Sequence, residues 1–158
     1  MKKLIVLRHA EFDGIRLTQN GLLVFGRLVE KLQPEWDGAS VSIISAPSVR
    51  VQQTAQIIAS KTNGSITVVN DLDGEGFSSP SNEQWKRILA LIMGQTSDVV
   101  IAVMHREETE IMSGRVIEML LTREQINESD FHYQKLDHNN AYILDLNQKK
   151  VQHVWVKQ

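Results

Sequence analysis

An arginine and a histidine, Arg8-His9, stand side by side just past the apolar run Leu4-Ile5-Val6-Leu7. A short apolar run bounded by polar residues reads as a buried strand, and the carboxyl end of such a strand is where open α/β sheets bind ligands. An imidazole there can act as a nucleophile, and a neighbouring guanidinium can hold a phosphate through two parallel N–H bonds. Alone, the pair is also consistent with a strand-end histidine beside a solvated arginine. Two further runs add partners. Val41-Ser42-Ile43-Ile44 leads into Ser45-Ala46-Pro47-Ser48-Val49-Arg50, where a helix start would offer unpaired N–H groups and a positive dipole end to an anion. Val99-Val100-Ile101-Ala102-Val103-Met104 leads into His105-Arg106. Three predicted strand ends thus deliver Arg8, His9, Arg50, His105 and Arg106, a set suited to a phosphoryl group.

The elements that must position these residues alternate between strand and helix along 158 residues, with no repeat or linker to mark a second domain. One domain spanning 1–158 is expected, with 42% hydrophobic residues to form its core. Leu22, Phe25, Val29 and Leu32 recur at helical spacing, and Pro34 stops that helix. Val51, Ala55 and Ile58 mark the inward face of a second helix that ends near Asn63-Gly64. Ile66 to Val69 reads as a strand. Ser81-Asn82-Glu83-Gln84 is a capping box for a helix presenting Trp85, Ile88, Leu89, Ile92 and Met93 inward. A further helix carries Ile111, Met112, Val116, Met119 and Leu120. Ala141–Leu146 and Val151–Val156 form a terminal antiparallel hairpin. This pattern predicts a three-layer α/β/α fold, a mostly parallel sheet with antiparallel C-terminal strands toward one edge.

Zero cysteines exclude disulfides, thiolate nucleophiles and cysteine-ligated metals, and are compatible with a reducing cytoplasm. The formal net charge of −2 gives no reason to expect a nucleic-acid or membrane partner. No run is long enough to span a bilayer, Met1-Lys2-Lys3 leads directly into a strand, and a cytoplasmic location is expected.

Four motifs in order resemble the histidine phosphatase superfamily, also called phosphoglycerate mutase-like. Arg8-His9-Ala10-Glu11 resembles its Arg-His-Gly-Glu signature, and Leu17-Thr18-Gln19-Asn20-Gly21 its Leu-Thr-x-x-Gly segment. Ser45, Arg50, Gln53, Thr54 and Ala55 match its middle motif, and Val103-Met104-His105-Arg106 stands where it has Val-Ser-His-Gly. The resemblance runs from Met1 to about Leu146. It implies His9 as a nucleophile that becomes a transient phosphohistidine, Arg8 and Arg50 as a phosphate clamp, and His105 as a donor to phosphoryl oxygens. It implies no metal and no cofactor, since cationic side chains do the neutralising. The competing reading of His9 and His105 as zinc ligands has no third ligand at suitable spacing. The family's leaving-group acid falls in Asp71-Leu72-Asp73-Gly74-Glu75-Gly76-Phe77, where Glu75 is the first candidate and Asp73 the second.

The chain departs from the family pattern at several positions, two of which bear directly on the site. Ala10 replaces a glycine, which adds a methyl group and makes positive φ costly. Arg106 replaces the glycine after the second histidine, and it also stands where the acid-phosphatase branch has an aspartate, so that mode is absent. Glu107 and Glu108 either face the pocket or favour a helix N-terminus. Glu11 is expected to orient the arginines, Arg16 to line the mouth or be solvated, and His132, His138 and His153 to be surface or edge-strand residues. Trp36, Trp85 and Trp155 are assigned to packing.

The reading that follows is a metal-independent phosphatase acting on a phosphorylated small molecule or a phosphohistidine protein. The short length is similar to that of bacterial phosphohistidine phosphatases, whose open site accepts a protein surface. A phosphoglycerate-type mutase is an alternative, disfavoured because few residues remain for a lid over the intermediate. A non-catalytic phosphate-binding module is a third, disfavoured because it would not need a nucleophile.

Overall fold

The structure, a computed structural model, describes residues 1–72, 80–120 and 136–157. Strand β1 (Lys3–Arg8) is followed by a two-residue hairpin, β2 (Phe12–Asp13) and β3 (Arg16–Leu17), whose turn holds Gly14 at φ 63°. Then come α1 (Gln19–Leu32), β4 (Val41–Ser45), α2 (Val49–Thr62), β5 (Ser65–Val68), α3 (Asn82–Met93), β6 (Val99–Met104), α4 (Arg106–Leu120), β7 (Asn140–Asp145) and β8 (Lys150–Trp155). Six of the strands make one sheet in the order β5-β4-β6-β1-β7-β8. The β5–β4, β4–β6 and β6–β1 pairs are parallel, and β1–β7 and β7–β8 are antiparallel. Helices cover both faces, as the strand–helix alternation predicts. None of the described helices is long and apolar enough to cross a membrane.

That covering explains the composition of the central strands. Leu4 to Leu7 and Val100 to Met104 are fully buried, so these strands read as continuous apolar runs rather than alternating ones. The helices behave differently, because each has only one inward stripe. On α1 that stripe is Gly21, Val24, Phe25, Leu28, Val29 and Leu32, and Leu22, although at helical spacing with Phe25 and Val29, is 46% exposed. On α3, Trp85, Ile88 and Ile92 are buried while Met93, at the last turn, is 41% exposed. The Ser81 capping box is present, with the Ser81 hydroxyl accepting from Gln84 and the Gln84 side chain accepting from the Ser81 N–H. A left-handed Asn63 at φ 53° ends α2. Trp36 and Trp85 are buried, whereas Trp155 lies half-exposed on the sheet's outer strand with the Lys31 ammonium over its ring, outside the core.

The start of α1 shows why the Leu-Thr-x-x-Gly segment is spaced as it is. Thr18 is the N-cap and its hydroxyl accepts from the Gly21 N–H at 2.9 Å. A β-carbon at position 21 would overlap the Glu11 carbonyl oxygen, so only glycine lets the helix lie against the loop after β1.

Candidate active site

The carboxyl ends of β1, β4 and β6 are neighbours, and each sends its polar residues to the same edge of the sheet. His9 follows β1, is 2% exposed, and its N–H donates to the Met104 carbonyl of β6 at 3.1 Å. Its ring Nδ1 lies 2.8 Å from the Ala10 carbonyl oxygen. A carbonyl only accepts, so Nδ1 carries the proton and Nε2 keeps its lone pair. Burial pushes the His9 pKa down to about 3, and the nearby His138, Arg8 and His105 push the same way against the Ala10 hydrogen bond. At neutral pH His9 is therefore an uncharged imidazole with an unprotonated Nε2.

His105 follows β6 and its ring centroid is 5.3 Å from that of His9. The Arg50 Nη2 lies 3.4 Å from His105 Nδ1, and a guanidinium only donates, so Nδ1 accepts and Nε2 donates to Ser48 Oγ at 3.2 Å. The His105 N–H donates to the buried Glu108 carboxylate at 3.0 Å, which makes Glu108 part of the start of α4 rather than a free pocket acid. Arg50, in the first turn of α2, also stacks on Phe12, with its Cζ 4.5 Å from the ring centroid. Phe12 in turn meets the His9 ring edge-on at 5.0 Å. Arg8 ends β1, largely buried, with its Nη1 3.9 Å from Asp137 Oδ1. Its charge is felt at His9 and at His138.

His138 is the residue the sequence reading misplaced. It is not a surface histidine, because its Nδ1 lies 2.7 Å from the His9 carbonyl oxygen and its ring 5.1 Å from the His9 ring. The antiparallel direction of β7 causes this. Leu7 pairs with Ala141, so the residues that precede β7 lie beside those that follow β1. The signal was present in the predicted hairpin, whose first strand is preceded by Asp137-His138, but only its pairing with β1 gives that position meaning.

The remaining candidates fall elsewhere. Ala10 is buried with negative φ, and its N–H donates to Thr54 Oγ1 at 3.1 Å, so the methyl is absorbed by the core without strain. Glu11 does not orient the arginines; it accepts from Thr18 Oγ1 at 3.2 Å and Asn20 Nδ2 at 3.0 Å at the head of α1. Arg16 lines a groove of about 410 Å³ with Leu17, Leu22, Gln53, Ile57 and Ser60, a lining that includes none of the histidines. Arg106 Nε pairs with Glu110 at 3.5 Å, one turn along α4. Glu75, Asp73 and His132 lie outside the described residues, as does the side chain of Glu107. No group of three His, Asp or Glu side chains among the described residues is placed to hold a metal ion.

No protein-family model matches the sequence. No curated protein matches it either. Solved structures do. The chain is similar to the protein histidine phosphatase SixA complexed with tungstate, at 14% identity and TM-score 0.66 over 97% of this chain and 94% of that one. It is similar to a mycobacterial glucosyl-3-phosphoglycerate phosphatase complexed with inorganic phosphate, at 14% identity and TM-score 0.66 over 100% and 98%. A phosphoglycerate mutase from Plasmodium falciparum matches at 15% identity and TM-score 0.61 over 98% and 89%. The sheet order, its antiparallel edge and these whole-length likenesses agree with the four ordered motifs, and the fold of this chain is that of the histidine phosphatase superfamily, the phosphoglycerate mutase-like proteins.

Proposed function

We propose that the chain is a phosphatase that works without metal or cofactor through a phosphohistidine on His9. The observation that carries this reading is the state of His9, a neutral ring whose Nδ1–H is tied to the Ala10 carbonyl, which leaves Nε2 unprotonated, and which lies 5.3 Å from the ring of His105 and within the field of Arg8. In the first step His9 Nε2 forms a bond to phosphorus as the bond to the leaving group breaks. Arg8 and Arg50 spread the charge of the equatorial oxygens, and His105 Nε2–H turns from Ser48 to donate to one of them. Water then attacks phosphorus, the N–P bond breaks, and His9 and inorganic phosphate are regenerated.

The substrate is a phosphorylated small molecule or a phosphohistidine on a protein, and the second fits better. Described carboxylates around the site are engaged: Glu11 with Thr18 and Asn20, Glu108 with the His105 N–H, Asp137 with Arg8. That arrangement suits an imidazole leaving group, which departs more easily than an alkoxide. One of the solved structures it is similar to is named as a protein histidine phosphatase.

The test is turnover of 4-nitrophenyl phosphate, phosphoglycerates and a phosphohistidine peptide in the presence of a chelator, with quenching in alkaline detergent, which leaves a phosphohistidine intact. Phosphate release with acid-labile phosphate on His9, both lost in His9→Ala, is the expected result. Normal turnover by His9→Ala overturns the mechanism. Interconversion of phosphoglycerates without phosphate release makes the chain a mutase, and phosphate binding without turnover of any substrate makes it a binding module.

A further inference from the structure

The peptide unit that joins His9 to Ala10 is held at both ends by residues distant in sequence. Its N–H, from Ala10, donates to Thr54 Oγ1 on α2 at 3.1 Å. Its carbonyl, from His9, lies 2.7 Å from His138 Nδ1. Because that carbonyl only accepts, His138 Nδ1 is the donor. The next carbonyl along, that of Ala10, is the one that holds the ring of His9 at 2.8 Å. The orientation of the His9 ring therefore depends on a backbone carbonyl whose direction is set by the clamped peptide before it.

The two jaws are themselves fixed. Thr54 Oγ1 donates to the Arg50 carbonyl at 2.8 Å, which orients its lone pairs toward Ala10 and ties the nucleophile loop to the first turn of α2. His138 sits in the turn that opens β7. There the Asp137 N–H donates to Asn140 Oδ1 at 3.0 Å, and Asn139 is joined to Val156 of the C-terminal end by Nδ2 donating to its carbonyl at 2.6 Å and by its own carbonyl accepting the Val156 N–H at 3.0 Å. Asp137, one residue before, pairs with Arg8, one residue before His9. A dipeptide 129 positions away in the chain thus reaches both members of the Arg-His pair.

We propose that His138 is a positioning residue for the nucleophile, acting through its Nδ1–H on the His9 carbonyl to close the clamp opposite Thr54. The proposal rests on the reading of His9 as the nucleophile. It assigns no proton transfer to His138 Nε2, and this is what separates it from an acid or base role.

Asparagine places an amide N–H close to where Nδ1 of histidine stands and has nothing at Nε2, whereas glutamine reaches to the Nε2 position. The experiment compares His138→Asn, His138→Gln and His138→Ala with wild type in two measurements. In single-turnover phosphorylation of His9 by 4-nitrophenyl phosphate, His138→Ala is expected to lose about a hundredfold in rate, the scale of a misplaced reacting group. His138→Asn recovers most of that loss, and His138→Gln does not. In ¹⁵N-edited NMR of the ring nitrogens at neutral pH, His9 in wild type and His138→Asn shows one tautomer, protonated at Nδ1, while His138→Ala shows a mixture. Wild-type rate in His138→Ala overturns the proposal, as does recovery by glutamine in place of asparagine. If wild type phosphorylates no substrate, the functional reading fails and the NMR decides the inference alone: a single tautomer in every variant overturns it, and a mixture only where the donor is lost supports it.

Discussion

At the amino edge of β1, β4 and β6, Asp98 gathers the loop ends. Lys2 Nζ lies 2.9 Å from its Oδ1, Ser40 donates to its Oδ2 from the N–H at 3.3 Å and the hydroxyl at 2.9 Å, and the Asp98 N–H returns to Ser40 Oγ at 2.9 Å. At the carboxyl edge of the same three strands stand Arg8, His9, Arg50 and His105, joined by His138 from the start of β7. The first cluster pairs opposite charges in contact with water, and Lys2 and then Ser40 hold the Asp98 carboxyl down at about 2. The second gathers donors and cations where burial and mutual repulsion drive His9 down to about 3. One end of the strands pairs opposite charges, and the other is the end to which the function proposed above assigns the phosphoryl group. The function proposed above places its chemistry at one end, and the other is local bracing.

The comparison breaks if substitutions at the two ends have similar effects on turnover. The largest expected effect is that of His9→Ala, which takes hydrolysis to the background rate and abolishes acid-labile phosphate on the protein. Arg50→Ala follows, with kcat lowered on the order of a hundredfold or more, the range seen when one preorganised donor to a developing charge is removed. Rates on 4-nitrophenyl phosphate measure both. If Glu75 protonates an alkoxide leaving group, Glu75→Gln slows an alkyl phosphate by about a hundredfold and leaves 4-nitrophenyl phosphate almost unchanged. Equal effects on the two substrates, or none on either, remove Glu75 from the reaction.

Acid sharpens the contrast, because the two ends titrate in different windows. The folded pKa of His9 is below its ordinary 6.5, so the unfolded chain takes up a proton before the folded one does. Stability tied to neutral His9 is present in full above pH 6.5 and is lost as pH falls toward about 3, at a slope of at most about 1.4 kcal/mol per pH unit. His138, also lowered by burial, adds in the same direction. Asp98 is depressed from 3.8 to about 2, so its contribution is present above pH 3.8 and is lost only as pH falls through about 2. Urea unfolding between pH 7 and pH 4 checks this, with a shallower decline expected in His9→Gln and an unchanged decline in Asp98→Asn. The smallest effect is that of Asp98→Asn at pH 7, where exposure and solvent screening leave the Lys2 pair weak. Thermal unfolding should move down slightly and kcat should not change.

Much of this molecule is local in origin and so can be read along the chain. Leu4–Leu7 and Val99–Met104 are apolar without interruption because both faces of their strands are covered, and Ser81 with Gln84 closes a cap across four residues. The motif order around Arg8, His9, Arg50 and His105 was equally legible, since each lies at the end of a predicted strand. Periodicity was less informative at Leu22 and Met93, where it counted apolar residues without knowing which stripe faces the sheet. Nothing local marks His138, Asp137, Phe12 or Thr54 as neighbours of His9. Their meeting depends on strand order, on the reversed direction of β7 and on the small hairpin after β1, and these are properties of the packed sheet. The sequence by itself determined the six strands of the main sheet, the four described helices and the four motif residues, because hydrophobic period and capping act within a few positions. Only the tertiary structure decided which side chains hold His9, because a hydrogen bond across 129 positions exists only once the sheet has closed.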